Sequence, residues 1–530
     1  VTALLAGEVI YADKLDLGRA TSRERFTKAM LAKTTTLDRA AIEAELLHIS
    51  EEAARPAASS PSDGELDLSR IVRPELFHLA DLSGISVPSV ALVGGRPVGR
   101  WWMYLSSRDG QRRRSELAER IILPDDKPMW VNPVPAAPDV MQAAATGWTT
   151  EARSAWLDGA DPPDAALLLQ RLCDAVAHYL DFPRELAAGH TALLSIWTML
   201  TYAYPCWPAV PYLSVGGPLG SGKSRVFELL ARLVFRPLVS ANLTAPTLFR
   251  TLHEQGGILL LDEAERLREN TPDAGELRSI LLAGYKQGSP AMRLEPAGDG
   301  KFIRRTFNVY GPKAIAGIGG LPEVLASRCI RVNMLRSSPD SDKPRRRLDD
   351  DPSLWANLRD DLHALALECG PVWLQLSNRA DVCGLMSGRD FELWQPVLAL
   401  AAWLDELGAD GLLGLMQDHA GRLIDANRDD AVPDVDEVLL RLLADAVLQQ
   451  THAGLSPEEL LRQAQQREPN LFTKWTTRGV SSTLKRYGLQ STKCHGRRTY
   501  RDVSLIRLAE IERAYGLDLG LPAETRDLCG

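Results

Sequence analysis

Cysteine is scarce and unpatterned. The 530-residue chain holds seven (Cys173, Cys206, Cys329, Cys369, Cys383, Cys494 and Cys529), with no C-x-x-C pair. That scatter excludes a disulfide framework and the usual zinc spacings, and it points to reduced thiols. Positive charge is also short. A formal net charge of −8 excludes a uniformly basic coat for nucleic acid, while leaving room for a local basic module. An N-terminal signal pattern is missing. One long stretch, Thr191 to Ser221, carries no charge, but Pro205, Pro208 and Pro211 interrupt it. It therefore reads as a buried helix, a proline turn and a core strand, not as a membrane span, and the expected location is the cytoplasm. The chain begins with Val1, which leaves open a processed product, a non-standard start or a piece of a longer polypeptide. What is present is ordinarily globular: 45% hydrophobic and 25% charged residues can bury a large core. The length suggests roughly three to four domains.

The chain is organised around Gly217-Pro218-Leu219-Gly220-Ser221-Gly222-Lys223-Ser224, a complete G-x-x-x-x-G-K-[ST] phosphate loop. Its glycines let several backbone N–H groups point at one anion. Tyr212 to Val215 reads as the strand entering the loop, and Val226 to Leu233 as the helix leaving it. Phosphate would then sit on that helix's N-terminus. The expected nucleotide contacts are Gly217, Gly220, Ser221, Gly222, Lys223, Ser224 and Arg225, with Lys223 on the β/γ-phosphates of ATP and Ser224 on Mg²⁺. Gly256 to Glu263 is an apolar strand ending in two carboxylates. Asp262 is placed to hold the Mg²⁺ shell, and Glu263 to orient and polarise the attacking water.

Seven segments follow from composition and periodicity. Residues 1–52 read as helical, 53–64 (AARPAASSPSDG) as a linker, and 65–135 as a small β-containing domain. In the last of these Arg96, Arg100, Arg108, Arg112, Arg113 and Arg114 surround Trp101, Trp102 and Tyr104. They form either a stacking platform for single strands or a small β core with a solvated Arg-rich turn, and the second reading is favoured. Residues 136–208 read as a helical bundle leading into the core. Residues 209–335 alternate strands and helices, which implies a parallel α/β sheet with helices on both faces. Within them Arg293 to Tyr310 reads as a hairpin turning at Gly298-Asp299-Gly300. Residues 336–430 read as a charged connector and a helical lid. Arg389, in this lid, is either a second phosphate sensor or an ion-pair partner of Asp390 or Glu392. Residues 431–530 read as helix, helix, helix and a two-stranded wing, the order of a winged helix. From Thr473 to Arg501 there are eight Lys/Arg and no Asp/Glu, leaving a formal −16 on the rest of the chain. Lys474, Arg478, Lys485, Arg486, Lys493, Arg497 and Arg498 are the expected nucleic-acid contacts, with a protein-docking module as the alternative.

The order of phosphate loop, Asp-Glu strand, hairpin and helix ending in an arginine before a last strand resembles the AAA+ ATPases. Ser327-Arg328-Cys329 is similar to the Ser-Arg-Cys box that supplies the arginine finger in clamp-loader ATPases. Several segments are more closely similar to the helicase-like ATPases found with primases in phages, plasmids and integrated mobile elements. They are Pro211-Tyr212-Leu213, Leu248-Phe249-Arg250, Leu277 to Gly284, and Tyr310 through Arg331. The resemblance spans about residues 165–405. It implies a ring, a hexamer, in which Arg328 completes a neighbour's catalytic site. It also implies a pore hairpin gripping a single strand through Lys286, Lys301, Arg304 and Arg305, a duplex engaged by the winged helix, and a primase as partner. One departure stands out. Where a polar sensor is expected the chain has Gly317-Ile318-Gly319-Gly320, with Asn308 as the substitute. The expected function is a replicative or mobile-element DNA helicase. The alternatives are a non-unwinding AAA+ ATPase that loads or recruits a partner on DNA, and a protein-remodelling ATPase.

Overall fold

The computed structural model describes residues 2–5, 8–12, 20–33, 38–39, 42, 46, 71–72, 75–93, 95–116, 120–122, 128–131, 147–241, 243–296, 302–317, 320–431, 434–494, 496–515, 517 and 519–522. The linker 53–64, most of the expected helix 37–54, the hairpin turn 298–300 and Lys301 lie outside the described residues. Two compact units divide the chain, Val1–Ala160 and Asp161–Gly530. The division falls inside the 136–208 segment and leaves the helix Thr150–Leu157 in the first unit.

The first unit is mostly β. Strands β1 (Thr2–Leu5) and β2 (Glu8–Ala12) pair with each other. Strands β3 (Ile71–Val72), β8 (Arg120–Ile122) and β9 (Pro128–Val131) form a three-stranded sheet. Strands β4 (Leu76–His78), β5 (Leu82–Val93), β6 (Arg96–Ser107) and β7 (Arg112–Glu116) form an antiparallel meander. Successive side chains alternate faces, so β6 sends Met103 and Leu105 one way and Tyr104 the other. Tyr104 packs edge-on against Trp148 (5.4 Å between centroids) and Trp156 (6.2 Å), and all three are buried. Arg112 caps the cluster, stacking on Trp156 and donating to the Trp156 carbonyl (2.9 Å). The small β core favoured from sequence thus accounts for Tyr104 and Arg112. Trp102 keeps a partly open ring, stacked under Arg114 at 4.9 Å.

The second unit holds a five-stranded, wholly parallel sheet. Its strands are β10 (Tyr212–Gly216), β11 (Pro237–Ser240), β12 (Ile258–Leu261), β15 (Lys313–Ala316) and β16 (Cys329–Asn333), in the order β11-β12-β15-β10-β16. Leu213 pairs with Ala314 and with Ile330, and Leu260 pairs with Ala314, which fixes the register across the middle. The Ile258–Leu261 run is buried at every position, as a strand covered on both faces requires. Local chemistry sets the crossovers. The helix Ala245–Gln255 opens with Thr244 as cap and Pro246 in its first turn, and Pro272–Ala283 does the same with Thr271. The uncharged run from Thr191 resolves into the buried helix Ala187–Ala203, a 3₁₀ turn Tyr204–Cys206 and β10. Among the described residues no helix is long and apolar enough to cross a membrane. The expected helix running into the last strand over Leu321 to Val332 is one turn, Glu323–Ala326, followed by β16 at Cys329–Asn333.

Strands β13 (Ala291–Pro296) and β14 (Phe302–Phe307) form the expected hairpin, with Arg293 opposite Arg305 and Leu294 opposite Arg304. Long helices Pro352–Leu376, Gly388–Glu406 and Leu412–Ala431 follow the sheet. The last hundred residues have a core of their own, built by Asp434–Leu448, Pro457–Arg467, Thr477–Arg486, the pair β17 (Thr492–Cys494) and β18 (Arg497–Thr499), and Leu505–Tyr515.

Candidate nucleotide site

The phosphate loop leaves β10 at the C-terminal edge of the sheet and enters the helix Lys223–Leu233. Gly217 sits at φ +150°, and a Cβ there would lie 2.4 Å from the Met334 carbonyl oxygen, so only glycine fits. Gly222 caps the helix at φ 90°. Lys223 Nζ donates to the carbonyls of Gly217 (2.8 Å) and Pro218 (3.0 Å), folded over its own loop. Ser221 is buried, and its hydroxyl has no hydrogen-bond partner among the described residues. Ser224, the second residue of the helix, is exposed.

Register brings the carboxylates to the same edge. Ser214 of β10 pairs with Ile315 of β15, and Ile315 with Leu261 of β12, so Asp262 and Glu263 emerge level with the start of the loop, two strands away. Asp262 Oδ1 accepts the Glu263 N–H (2.9 Å), and this local turn holds Glu263 at φ 56°, ψ 48°, an uncommon left-handed conformation for a non-glycine residue. Its carboxylate is exposed at the edge. Gly317, at the end of β15, offers no polar side chain. Asn308 is no substitute sensor: it precedes β15 at the opposite edge, and its Oδ1 accepts the Tyr310 N–H (2.9 Å).

A cavity of about 310 Å³ opens beside the loop, lined by Gly220, Ser221, Gly222, Arg225, Tyr179, Met334 and Arg336 among others. Arg336 was not legible as a site residue. Its guanidinium lies 3.1 Å from where a Cβ on Gly220 would stand, and it is exposed. Arg225 lines the same cavity, but its guanidinium is turned to backbone, donating to the carbonyls of Tyr179 (3.1 Å), Lys343 (3.1 Å) and Arg346. It binds the helix Ala165–Tyr179 to the connector. Another cavity, about 920 Å³, lies between the helices Ala165–Tyr179 and Ala187–Ala203 and the loop 407–412, and no residue of the phosphate loop lines it.

Two buried histidines stand behind the loop. The backbone N–H of Asn333, at the end of β16, donates to His190 Nε2 (3.3 Å), so neutral His190 carries its proton on Nδ1 and donates to His419 Nε2 (3.1 Å). Burial pushes His190 down to about 3 and His419 to about 4. Gly189 is essential to this fit, because a Cβ there would fall 2.2 Å from the His419 ring.

Arg328 and Arg389 occupy the other end of the sheet. The Arg328 carbonyl accepts the N–H of Tyr212, the first residue of β10, so five strand steps, about 16 Å, separate it from Gly217 at the start of its own phosphate loop. Arg328 and Arg389 both lie against the ring of Tyr285, at 5.7 and 4.8 Å. Arg389 Nη1 donates to Glu392 (2.5 Å), the ion pair that the sequence left open, and so Arg389 is not brought to its own loop. Lys286 pairs with the same Glu392 and stands at this edge, not on the hairpin.

The hairpin has two unlike faces. Arg305 (3.3 Å) and Arg250 (2.8 Å) both pair with Glu295, and Arg293 pairs with Glu276 (3.0 Å). Arg304 stands on the other face with exposed Met292, Leu294 and Phe302. At the C-terminus Lys474, Arg478, Lys485, Lys493, Arg497 and Arg498 are exposed. Arg486 is anchored instead: it pairs with the buried carboxylate of Asp436 (2.9 Å), which also accepts the Tyr487 hydroxyl (2.8 Å).

No protein-family profile and no curated protein matches this chain. Among solved structures, the chain is similar to a full-length MCM homolog from Methanopyrus kandleri at 13% identity and a TM-score of 0.29, over 64% of this chain and 76% of that one. It is also similar to JCV helicase at 14% identity and a TM-score of 0.21, over 54% and 78%, and to JCV helicase bound to N-(4-(2-(thiazolo[5,4-c]pyridin-2-yl)phenoxy)phenyl)acetamide, at 12% and 0.22, over 52% and 72%. At these TM-scores the likeness carries no argument, and the functional reading rests on the site itself.

Proposed function

We propose that this chain is an AAA+-type ATPase that assembles head to tail and acts on DNA as a helicase. The observation that carries the reading is the separation just described. Loop, Asp262 and Glu263 share one edge of a parallel sheet, while Arg328 sits at the other. An arginine so placed serves the nucleotide of a neighbouring copy.

In each copy the loop's N–H groups and the helix N-terminus hold the phosphates of ATP. Lys223 leaves the Gly217 and Pro218 carbonyls for the β/γ-phosphates. Ser224 and Asp262 present the hard oxygen donors that suit Mg²⁺, which when bound neutralises charge on the phosphates. Glu263, aimed from its left-handed turn, orients the attacking water. Arg328 of the adjoining copy stabilises charge on the transferring phosphoryl group. The hairpin contacts a single strand, with Arg304 as its uncommitted cation. The C-terminal helices and β17–β18 act as a winged helix on duplex DNA, through Arg478 and Lys485 on the helix and Lys493, Arg497 and Arg498 on the wing.

The test is the dependence of ATPase rate on protein concentration, with and without single-stranded DNA, together with unwinding of a forked duplex. The shared site predicts turnover per copy that rises with concentration to a plateau. Turnover that is independent of concentration down to a demonstrated monomer overturns it.

A further inference from the structure

Tyr285, in the turn after the helix Pro272–Ala283, is 1% exposed, yet it stands among cations. Arg328 and Arg389 lie over its ring, and its edge meets Tyr212 at 5.9 Å. Glu392 pairs with both Arg389 and Lys286 of this group. Among the described residues the Tyr285 hydroxyl makes no hydrogen bond of standard geometry, and the Arg389 guanidinium that lies over the ring is also near it. Burial pushes the phenol up to about 12, which keeps it neutral. What the residue offers is a flat π face, which attracts guanidinium groups and fixes their planes.

We propose that Tyr285 is a positioning residue of the shared ATPase site: its ring holds Arg328 and Arg389 side by side at the sheet edge, so that both guanidinium groups meet the phosphates of a neighbouring copy. The inference rests on the reading of Arg328 given above. The geometry supports it in three ways. Arg328 donates one nitrogen to the Val324 carbonyl of the one-turn helix, and its Nε is buried without an acceptor among the described residues, so the ring is what settles the rest of the group. Arg389 comes from a different helix, and the two arginines share no carboxylate, so Tyr285 is the element common to both. Glu392 grips Arg389 from one side only and leaves guanidinium N–H groups for an incoming phosphate.

The experiment compares Tyr285→Phe, Tyr285→Leu and Tyr285→Met in the full chain, with Arg328→Ala as reference, by steady-state ATPase, ATP binding and size in solution. Phenylalanine keeps the π face and loses only the hydroxyl, which makes no hydrogen bond of standard geometry, so its kcat stays within about twofold of wild type. Leucine and methionine fill the site without a π face, and kcat falls on the order of tenfold while ATP affinity and assembly are unchanged. Introducing Tyr285→Leu into an Arg328→Ala/Arg389→Ala background lowers kcat no further, because the ring then has nothing to position. Equal loss in the phenylalanine and leucine variants, or an additional tenfold loss in that background, overturns the role of Tyr285 while leaving the shared site intact. If Arg328→Ala itself keeps wild-type turnover, the shared site fails, whatever Tyr285 does.

Discussion

Acidification from about pH 7 to about pH 5 tests the packing behind the phosphate loop. His190 and His419 are 0% and 4% exposed and held below their ordinary value of 6.5, at about 3 and about 4. The Asn333 N–H occupies His190 Nε2, and His190 Nδ1–H occupies His419 Nε2, so an added proton on either ring has no acceptor inside the pair. Phe182 and Trp394 flank the rings, and Arg422 adds like charge near His419. The sign follows from linkage. Between the folded and unfolded values the unfolded chain binds more protons, so stability is complete above about pH 6.5 and is lost as pH falls below it. At about pH 5 each histidine contributes a loss of about 2 kcal/mol, so the pair loses about 4 kcal/mol. For a unit of this size that lowers Tm by about 5 °C. Calorimetry identifies the relevant transition as the one ATP raises. The double variant His190→Gln/His419→Gln is expected to melt lower at neutral pH but with a flatter pH dependence. A wild-type transition indifferent to pH over this range, or a double variant with the same slope, refutes the reasoning.

Other substitutions address the chemistry. Lys223→Ala removes the phosphate cation, and ATPase activity should fall by at least about a hundredfold, measured as phosphate release. Glu263→Gln keeps shape but removes the water-orienting carboxylate. Retained ATP affinity with turnover reduced on the order of a hundredfold is expected from filter binding and single-turnover assays. Arg336→Ala should weaken ATP binding about tenfold by titration, with Tm unchanged because the side chain is exposed. In the C-terminal domain Lys485→Ala should weaken duplex binding and reduce the salt slope by about one, whereas Arg486→Ala should act through stability, since it leaves the buried Asp436 carboxylate without its cation.

The phosphate loop and the Asp262–Glu263 strand were legible because each is a contiguous run whose residue types answer to one local demand. The parallel sheet was legible for a similar reason: strands buried on both faces are uninterrupted apolar runs, and Thr244 and Ser456 mark helix starts by capping chemistry alone. What sequence hid is long-range pairing. Nothing near Arg389 says that its carboxylate is Glu392 rather than Asp390, or that the ring beneath it is Tyr285, more than a hundred residues earlier. Arg225 beside the loop reads as a phosphate ligand until backbone carbonyls from residues 179, 343 and 346 are seen to take its N–H groups. Arg486 reads like the other basic residues of its helix until Asp436 is found beneath it. Conversely, Arg336 carries no motif, and only the register that returns the chain to Gly216 after β16 sets it over the loop.

The wiring of Arg328 to the far end of β10 carries a genetic consequence. Loop and arginine lie at opposite ends of one sheet, so under the proposed shared site each molecule would take part in two reactions, once as holder and once as helper. A mutant intact in its fold but missing both functions silences the centre on either side of it. Co-expressed with the normal form, it should act dominantly, and more steeply than its share of the population.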